Sequence, residues 1–319
     1  MTGREITKRA ITFDNPPAYP ILQFNKNLEK GDALIISSNQ PTAFRSDTPG
    51  MTEWGFAWES HDETMGQPKN IPIENYSDLS AYQFPNPDAE GRLDSIERCM
   101  KKYPDKFMIA SLGITGFNLV TFLRGFENTL MDLYADPEPL LQLTDRVMDF
   151  EKKMIINLSK INVDAVGFFD DWGTQNALMV SPELWRTHFK ARYKEQFSLA
   201  HDLGLFVWFH SCGYVLDILP DLIEIGADVI NLNQPDLFGV ERLGEQFAGQ
   251  ICFNCPVDHQ TTAVTGTDEE IDRYVLRLKN NLSKNGGFMG YIEEYSSIGM
   301  SDHTYTTIEN CFYTHRNYK

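Results

Sequence analysis

The amino-acid sequence predicts a single (β/α)8 barrel of the TIM type, with its functional site at the C-terminal ends of the strands. The chain has 319 residues, a length that such barrels commonly reach as one structural domain. Short β-rich runs alternate with longer helical patterns from about residue 105 onward, as in consecutive βαβ units. Most of these runs are apolar on both faces, which is typical of parallel strands covered by helices.

The strand candidates define the predicted barrel. One lies early in the chain, near Ala33–Ser37. The others lie in the alternating part, at Phe107–Leu112, Ala165–Phe169, Leu205–Phe209, Asp228–Leu232, Gln250–Asn254 and Phe288–Ile292.

Helix signals fall between these strands. Ser181 precedes Pro182 at a predicted helix start, and Thr267–Glu270 has the pattern of a capping box. Four aromatic residues then recur at every fourth position after Ser181, which predicts a helix face packed on the barrel. These residues are Trp185, Phe189, Tyr193 and Phe197.

We divide the chain at residue 100 within one structural domain. Residues 1–100 are predicted to be an irregular N-terminal segment that partly covers the barrel mouth, because prolines such as those in Pro85–Pro87 interrupt its pattern. Residues 101–319 are predicted to form the main body of the barrel. The Trp- and acid-rich run Glu53–Glu59 is compatible with substrate contact and equally with core packing.

Composition excludes several classes of function. The net charge of −17 opposes binding to nucleic acid or to an anionic membrane surface, since both require a positive field. No apolar run approaches the ~20 residues that span a bilayer, and the N-terminus lacks the pattern of a signal peptide. We therefore expect a cytoplasmic protein. A homodimer is possible, because an exposed apolar patch would suffice to form one.

The cysteines number five, an odd count that does not favour a disulfide framework. Buried thiols or metal ligands are the better expectations. The five are Cys99, Cys212, Cys252, Cys255 and Cys311.

Polar and reactive residues follow five successive predicted strands. In a parallel barrel all of these positions meet at one rim, where the active sites of such barrels lie. Loops that serve only as turns favour Gly, Ser, Asn and Pro rather than His, Cys and paired carboxylates. The rim is therefore predicted to be the functional site, with segments Asp170–Gly173, His210–Gly213, Asn233–Asp236, Cys255–Gln260 and Glu293–Tyr295.

His210 and Cys212 form the sharpest motif at this rim. Their two-residue spacing lets imidazole and thiolate point into one cavity, and both are good zinc ligands. Buried His and Cys residues are also common without a metal, so the motif requires a further ligand. Glu294 is the preferred candidate and Cys255 a weaker one, whereas Cys252 is expected to pack as a small apolar residue.

The remaining rim residues are assigned to catalysis or to substrate binding. Asp170 and His210 are the candidate catalytic residues, and Asp170 is preferred to Asp171 for the cavity because it directly continues its strand. The alternative is that one of the two aspartates caps the following turn. The candidate substrate-binding residues are Asp171, Trp172, Asn233, Gln234 and Asp258.

Taken with their flanking residues, these segments resemble the uroporphyrinogen decarboxylase superfamily, in particular its branch near the corrinoid-dependent methyltransferases. The resemblance implies a (β/α)8 barrel, zinc bound through a His-x-Cys pair, and methyl transfer to or from a cobalamin carried by a small corrinoid protein. His210 and Cys212 match that pair. The matching stretches are Asp170–Gly173, Ser181–Trp185, Phe209–Gly213, Gly226–Asn231, Pro256–Gln260, Gly286–Phe288 and Ile308–Asn310.

The sequence also departs from members of the superfamily. Uroporphyrinogen decarboxylases carry an Arg-rich N-terminal segment, whereas Arg45 stands alone here, so uroporphyrinogen is not the expected substrate. Coenzyme M methyltransferases have a late cysteine where this chain has Glu293–Ser296. Related zinc enzymes have a glutamate where this chain has Asn233–Gln234. The resemblance therefore implies an altered ligand set of one His, one Cys and one Glu.

Three functional hypotheses follow. The leading one is zinc-assisted methyl transfer between a small substrate, either a methoxylated compound or a thiol, and a corrinoid on a partner protein. The second is metal-free decarboxylation of a small aromatic or pyrrolic acid, with Asp170 stabilising a developing cation and His210 donating a proton. The third is a binding protein without catalysis, because fold does not fix function.

Overall fold

The structure is a closed barrel of eight parallel strands, as predicted. It is a computed structural model that describes residues 1–60 and 66–318. Each strand pairs with its neighbours in chain order, and the first pairs with the last to close the barrel. The strands are β1 (Ile21–Gln23), β2 (Ala33–Ser37), β3 (Phe107–Ile114), β4 (Ala165–Phe169), β5 (Phe206–His210), β6 (Val229–Asn231), β7 (Cys252–Cys255) and β8 (Phe288–Ile292).

Helices surround the barrel and connect its strands. They are α1 (Gly3–Ile11), α2 (Asp94–Lys102), α3 (Gly116–Arg124), α4 (Phe126–Ala135), α5 (Pro137–Lys160), α6 (Pro182–His188), α7 (Lys190–Asp202), α8 (Leu219–Glu224), α9 (Val240–Phe247), α10 (Thr262–Thr265), α11 (Asp268–Leu282) and α12 (Asp302–His315). Short 3-10 turns lie at Tyr76–Ser80, Pro235–Leu237, Lys284–Gly286 and Ser296–Ile298. Across the described residues, no helix is both long and apolar enough to cross a membrane.

The first hundred residues contribute to the barrel itself. They supply β1 and β2, so the division at residue 100 separates two strands from their neighbours. The sequence predicted β2 with the observed bounds but missed β1, whose three residues follow Pro20 and are too few to show a pattern. A small antiparallel hairpin also lies in this part, where Trp58–Glu59 pairs with Gln67–Pro68. Coverage of the barrel mouth by residues 1–100 stays a proposal.

Strand alternation divides the core into two layers. Successive side chains of a barrel strand point alternately to the axis and to the surrounding helices. The inner cluster includes Trp208, Cys252 and Met289, and the outer cluster includes Phe168 and Phe253. Cys252 is thus packed in an apolar layer, as the sequence predicted.

The helix signals are largely confirmed. The capping box at Thr267 is present, and the Ser181 side chain accepts the N–H of Leu184. All four aromatic residues of the predicted stripe are buried, in agreement with a core role. The helix is interrupted at Phe189, which separates α6 from α7.

Two buried carboxylates fix the start of α3 against the barrel. Glu151 Oε1 accepts the N–H of Gly116 at 2.8 Å, while the two oxygens of Asp170 accept those of Phe117 at 3.0 Å and Asn118 at 2.9 Å. Negative groups are favourable at a helix N-terminus, where the N–H groups have no partner within the helix. Gly116 has φ +49°, and a Cβ atom there would collide with the Asp170 carboxylate.

Burial makes this arrangement sensitive to pH. Because the site is dry, the pKa of Glu151 is raised from 4.5 to about 7, despite the hydrogen bonds from Gly116 and Gln196 that act to lower it. Gln196 Nε2 donates to Glu151 Oε2 at 2.5 Å, while Gln196 Oε1 is buried without a partner. A protonated carboxyl can donate to that oxygen once the amide is turned over.

Glu151→Gln is expected to remove a loss of stability at high pH. The folded chain holds the Glu151 proton more tightly than the unfolded chain does. The contribution of this carboxyl to the free energy of unfolding is therefore fully present below about pH 4.5 and is lost as the pH rises through about 7. Relative to the wild type, the variant should gain on the order of 1–3 kcal/mol at pH 8 and almost nothing at pH 4. Denaturant unfolding at both pH values measures this difference. Glu138→Gln, at an exposed position of α5, is the control, and parallel pH curves for wild type and Glu151→Gln would contradict the assignment.

Candidate active site at the barrel mouth

Three potential metal ligands converge at the C-terminal ends of β4 and β5. Asp171 continues the inward face of Phe169, and His210 and Cys212 continue that of Trp208. His210 Nε2 lies 3.4 Å from Asp171 Oδ1 and 3.3 Å from Cys212 Sγ. Their ligand atoms all lie within 4.8 Å of one another. This is the only such group of three or more His, Cys, Asp or Glu residues found among residues 1–60 and 66–318.

The loops after these two strands touch through their backbones. The Cys212 N–H donates to Asp171 Oδ1 at 2.6 Å, and the Gly173 N–H donates to the Cys212 carbonyl at 3.2 Å. A Cβ atom on Gly173 or Gly213 would collide with the opposite backbone, so glycine is needed at both positions. This close approach brings Asp171 to the His-Cys pair.

The three groups perturb one another electrostatically. Burial acts to raise the pKa of Asp171, but the hydrogen bond and charge of His210 outweigh it and hold that pKa below its usual value. Burial likewise acts to lower the pKa of His210, but Cys212 and Asp171 raise it well above its usual value. The protonated form of His210 is therefore favoured in the metal-free protein, and a bound cation would compete with that proton.

A hydrogen-bonded chain inside the barrel orients His210. Its Nδ1 lies 2.6 Å from Asn231 Oδ1, and the Asn231 amide donates to the Asn254 carbonyl at 2.7 Å. Trp208 Nε1 donates to Asn254 Oδ1 at 3.0 Å and so fixes the Asn254 side chain. Because an amide oxygen can only accept, Nδ1 carries the hydrogen and Nε2 is directed to Asp171 and Cys212.

This donor set fits a zinc ion. Thiolate, imidazole and carboxylate are the usual ligands of zinc, and catalytic sites use three protein ligands with a fourth position open for substrate. The hydrogen bond from His210 Nδ1 to Asn231 is the kind of contact that orients metal-bound histidines. The chemistry of the three residues therefore fits zinc, and Asp171 rather than the predicted Glu294 lies beside the His210–Cys212 pair.

The other predicted ligands lie elsewhere. Glu294 is outside the group, and its backbone N–H and C=O are both bonded to the Asn25 side chain. Along β8 the inward side is held by Tyr291, so the next inward position is Glu293 and not Glu294. Cys255 belongs to the outer layer and is fully buried, which raises the pKa of its thiol.

The structure gives the two aspartates opposite positions from those predicted. Asp170, which the sequence assigned to the cavity, is 0% exposed and faces the helices. Besides the start of α3, it contacts the Tyr193 hydroxyl, which donates to its Oδ2. Asp171, whose side chain is 35% exposed, is the aspartate beside His210.

The predicted substrate-binding residues form most of their contacts within the protein. Trp172 is fully buried and stacks on Phe117, with ring centroids 4.3 Å apart. Gln234 accepts the N–H of Gly213 at 3.1 Å, and Asp258 accepts the backbone N–H groups of Asp236, Gln260 and Thr261. Asn233 differs, because its Oδ1 is buried without a hydrogen-bond partner.

Sequence reasoning missed several residues at the mouth. Asn231 was overlooked because it ends an apolar strand, and Glu293 because its neighbour was chosen. The Tyr291 hydroxyl donates to Glu293 Oε2 at 3.0 Å, and burial raises the pKa of Glu293 to about 7. His259 is 6% exposed, and burial lowers its pKa to about 4. Following the inward alternation to the end of β6 identifies Asn231, and following it one position beyond β8 identifies Glu293.

The fold and site together define a parallel (β/α)8 barrel with a candidate metal centre at its C-terminal mouth. The sequence profile described as "Uroporphyrinogen decarboxylase (URO-D)" matches residues 57–292. The chain therefore belongs to the uroporphyrinogen decarboxylase family, as its motifs indicated, and this membership supports an enzyme.

Two known proteins are similar to this chain over most of its length. A uroporphyrinogen decarboxylase from Citrifermentans bemidjiense is 24% identical over 242 residues, which cover 72% of this chain and 67% of the relative. The structure of a methyltransferase from Methanosarcina mazei superposes with a TM-score of 0.75, at 13% identity and 98% coverage of both chains. That structural likeness confirms the fold.

Cys212→Ser is expected to abolish the thiolate-to-metal absorption of a cobalt-loaded protein. Cobalt(II) is a spectroscopic substitute for zinc, and Cys212 supplies the one sulfur in the group. Titration of metal-free protein with cobalt(II), followed by ultraviolet–visible absorption, measures the band. The control is Cys255→Ser, which should keep it. A band that survives in Cys212→Ser and disappears in Cys255→Ser would reverse the assignment.

Asn231→Leu is expected to weaken metal binding by about 10- to 100-fold, because His210 loses the contact that holds its ring. Asn231→Asp keeps an accepting oxygen and should retain most of the affinity. Competition with a chromophoric chelator measures both variants, and thermal melts confirm that each is folded. Equal affinity for Asn231→Leu and the wild type would show that the ring needs no such support.

Proposed function

We propose that this chain is a zinc-assisted methyltransferase that moves a methyl group between a small substrate and a corrinoid carried by a partner protein. The substrate would be a methoxylated compound or a thiol. The observation that carries the proposal is the convergence of Asp171, His210 and Cys212 at the mouth of a barrel of the uroporphyrinogen decarboxylase family. The methyltransferase from Methanosarcina mazei has the same fold and makes this activity a reasonable expectation.

Asp171, His210 and Cys212 would hold the metal ion in this proposal, with Asp171 in place of the predicted Glu294. A bound zinc ion would keep a substrate thiol ionised or withdraw electrons from an ether oxygen. The chain's own residues supply the rest. Asn231 directs His210 Nε2 to the open side, and the Cys212 N–H fixes one oxygen of Asp171.

The geometry favours methyl transfer over metal-free decarboxylation. The decarboxylation hypothesis needs Asp170 in contact with the substrate, where it would stabilise a developing positive charge. Asp170 is fully buried, and both its oxygens are already bonded to the start of α3. Asp171, in contrast to Asp170, contacts the two other potential metal ligands, His210 and Cys212.

The test combines metal analysis with a methyl-transfer assay. Untagged protein should contain about one zinc ion per chain and should methylate free cob(I)alamin from at least one donor among methoxylated aromatics, methanol, methylamines and methylated thiols. Asp171→Asn and Cys212→Ser should each lower the rate by at least about 100-fold, since catalysis by a metal depends on its ligands. Glu294→Gln should leave the rate near that of the wild type.

Three outcomes would contradict this proposal. Protein without stoichiometric metal, together with undiminished transfer by Cys212→Ser, would remove the role of zinc. A rate lost in Glu294→Gln and kept in Asp171→Asn would restore the ligand set that the sequence predicted. Carbon dioxide release from an aromatic or pyrrolic acid that is insensitive to chelators would favour decarboxylation.

A further inference from the structure

Four residues outside the metal group form a second cluster at the barrel mouth. They come from β8 and the loops after β7 and β8, and we call them the aromatic–acid wall: His259, Tyr291, Glu293 and Tyr295. The Tyr291 hydroxyl donates to Glu293 Oε2 at 3.0 Å. The His259 ring packs edge-on to Tyr295, with centroids 5.2 Å apart, and lies 6.4 Å from the Tyr291 ring.

The aromatic–acid wall belongs to the same mouth as the metal group. Tyr291 lies in the inner layer of the barrel, and strand alternation then directs Glu293 to the axis. After burial, the charge of His210 is a cause of the lowered pKa of His259. After burial and Glu293, the charges of Cys212 and Asp171 help to raise the pKa of Tyr295 to about 12. The two groups are therefore within electrostatic reach of each other.

His259 carries a polar atom that has no partner in the protein. Only 6% of this residue is exposed, and its Nδ1 is buried without a hydrogen bond. Leaving such an atom unpaired costs about 1–3 kcal/mol, which a ligand that pairs with it would recover. Asn233 Oδ1 is a second buried atom without a partner, and the Asn233 carbonyl accepts the His259 N–H at 3.1 Å. Unpaired atoms on two adjoining loops point to a ligand that is polar at this position.

The charges at the mouth restrict what that ligand can be. Within residues 1–60 and 66–318, no lysine or arginine forms an ion pair with Asp171 or Glu293. A zinc ion held by Asp171 and the Cys212 thiolate would be balanced by those two anions, so it adds no net positive charge. A carboxylate placed here would be desolvated beside Asp171 and Glu293. A protonated His210 is already paired with Asp171, so burying a further anion at this position is costly. Aromatic faces and a carboxyl group instead favour a neutral or cationic group.

We propose that the aromatic–acid wall is a recognition site for an uncharged or cationic aromatic substrate, in which His259 hydrogen-bonds a substrate hydroxyl or amino group and carboxylated substrates are excluded. This names the substrate class of the proposed methyl transfer and rests on that function. The partly buried Tyr295 ring provides a face on which an aromatic ring packs, and the buried His259 and Tyr291 rings support it from behind. Glu293 provides the preference for positive over negative charge.

The test measures binding of three matched probes to the metal-free protein by ligand-observed NMR or calorimetry. It is done at about pH 8, because burial raises the pKa of Glu293 to about 7 and the charge preference requires the ionised carboxylate. Guaiacol, vanillylamine and vanillate share a methoxyphenol ring and differ in bearing no charge, an ammonium group or a carboxylate. We expect vanillylamine and guaiacol to bind at least about tenfold more tightly than vanillate, because only vanillate brings an unpaired anion to the site. Binding of vanillate as tight as that of guaiacol, or no binding of any probe, would overturn the proposal.

Two variants identify the residues responsible. His259→Phe keeps an aromatic ring but removes the hydrogen bond, and should weaken guaiacol and vanillylamine by about fivefold or more. Glu293→Gln should bring vanillylamine close to guaiacol while leaving guaiacol itself unchanged. His303→Phe, at an exposed position on α12, is the matched control. A folded His259→Phe that binds all probes like the wild type overturns the role of His259, and Glu293→Gln tests the charge preference even if His259→Phe does not fold.

The result is independent of the metal. If cobalt(II) does not bind but the order of probe affinities holds, the proposed methyl transfer fails while the recognition site stands. If cobalt(II) binds and vanillate is the preferred probe, the metal site stands and the recognition site is refuted.

Discussion

In the closed barrel, successive residues of each strand face alternately the axis and the surrounding helices. The position of the site follows from this constraint. Near the end of each strand the inward positions continue the layer of Trp208 and Tyr291. Asp171, His210 and Cys212 occupy such positions on two adjacent strands, and Glu293 occupies one on β8. A one-residue shift of β5 would turn His210 and Cys212 away from the barrel axis, because the period of the strand is two.

The orientation of His210 depends on hydrogen bonds between strands, whereas contacts between the two adjoining loops hold Asp171 beside Cys212. His210, Asn231 and Asn254 lie on three successive strands and are linked side chain to side chain or to backbone. Each is at least nine-tenths buried, so the links are shielded from water. The loops after β6 and β7 need a fastening of their own. Asp258 provides it by accepting three backbone N–H groups, which explains a conspicuous acid at the rim without assigning it to a substrate.

The fold and the central motif could be predicted from sequence because both rest on local patterns. Apolar strands between helix signals define the barrel. His210 and Cys212 are two residues apart, and residues at that spacing in an extended chain lie on the same side. The structure differs from the sequence-based assignment at two pairs of adjacent acids, Asp170–Asp171 and Glu293–Glu294. The two members of each pair have the same chemistry and differ only in whether they face the barrel axis or the helices. Whether a residue faces inward can be read once a strand's inward residues are known. His259 lies in the predicted rim segment Cys255–Gln260, but the lack of a partner for its Nδ1 is visible only in the structure.

Asp170 and Asp171 show how one strand end serves stability and chemistry at the same time. Burial, with a smaller effect of the Glu151 charge, raises the pKa of Asp170 well above its usual value, while its neighbour Asp171, beside His210, has its pKa lowered. Asp170 nevertheless bears on the site, because it ties α3 to the end of β4, and its N–H donates to the His210 carbonyl at 3.1 Å. A replacement keeps this N–H but removes the carboxylate that anchors α3, so it acts on Asp171 and His210 only through the position of the end of β4. Loss of activity at Asp170 therefore cannot by itself identify a residue that contacts the substrate, since a positioning role through the backbone predicts the same loss.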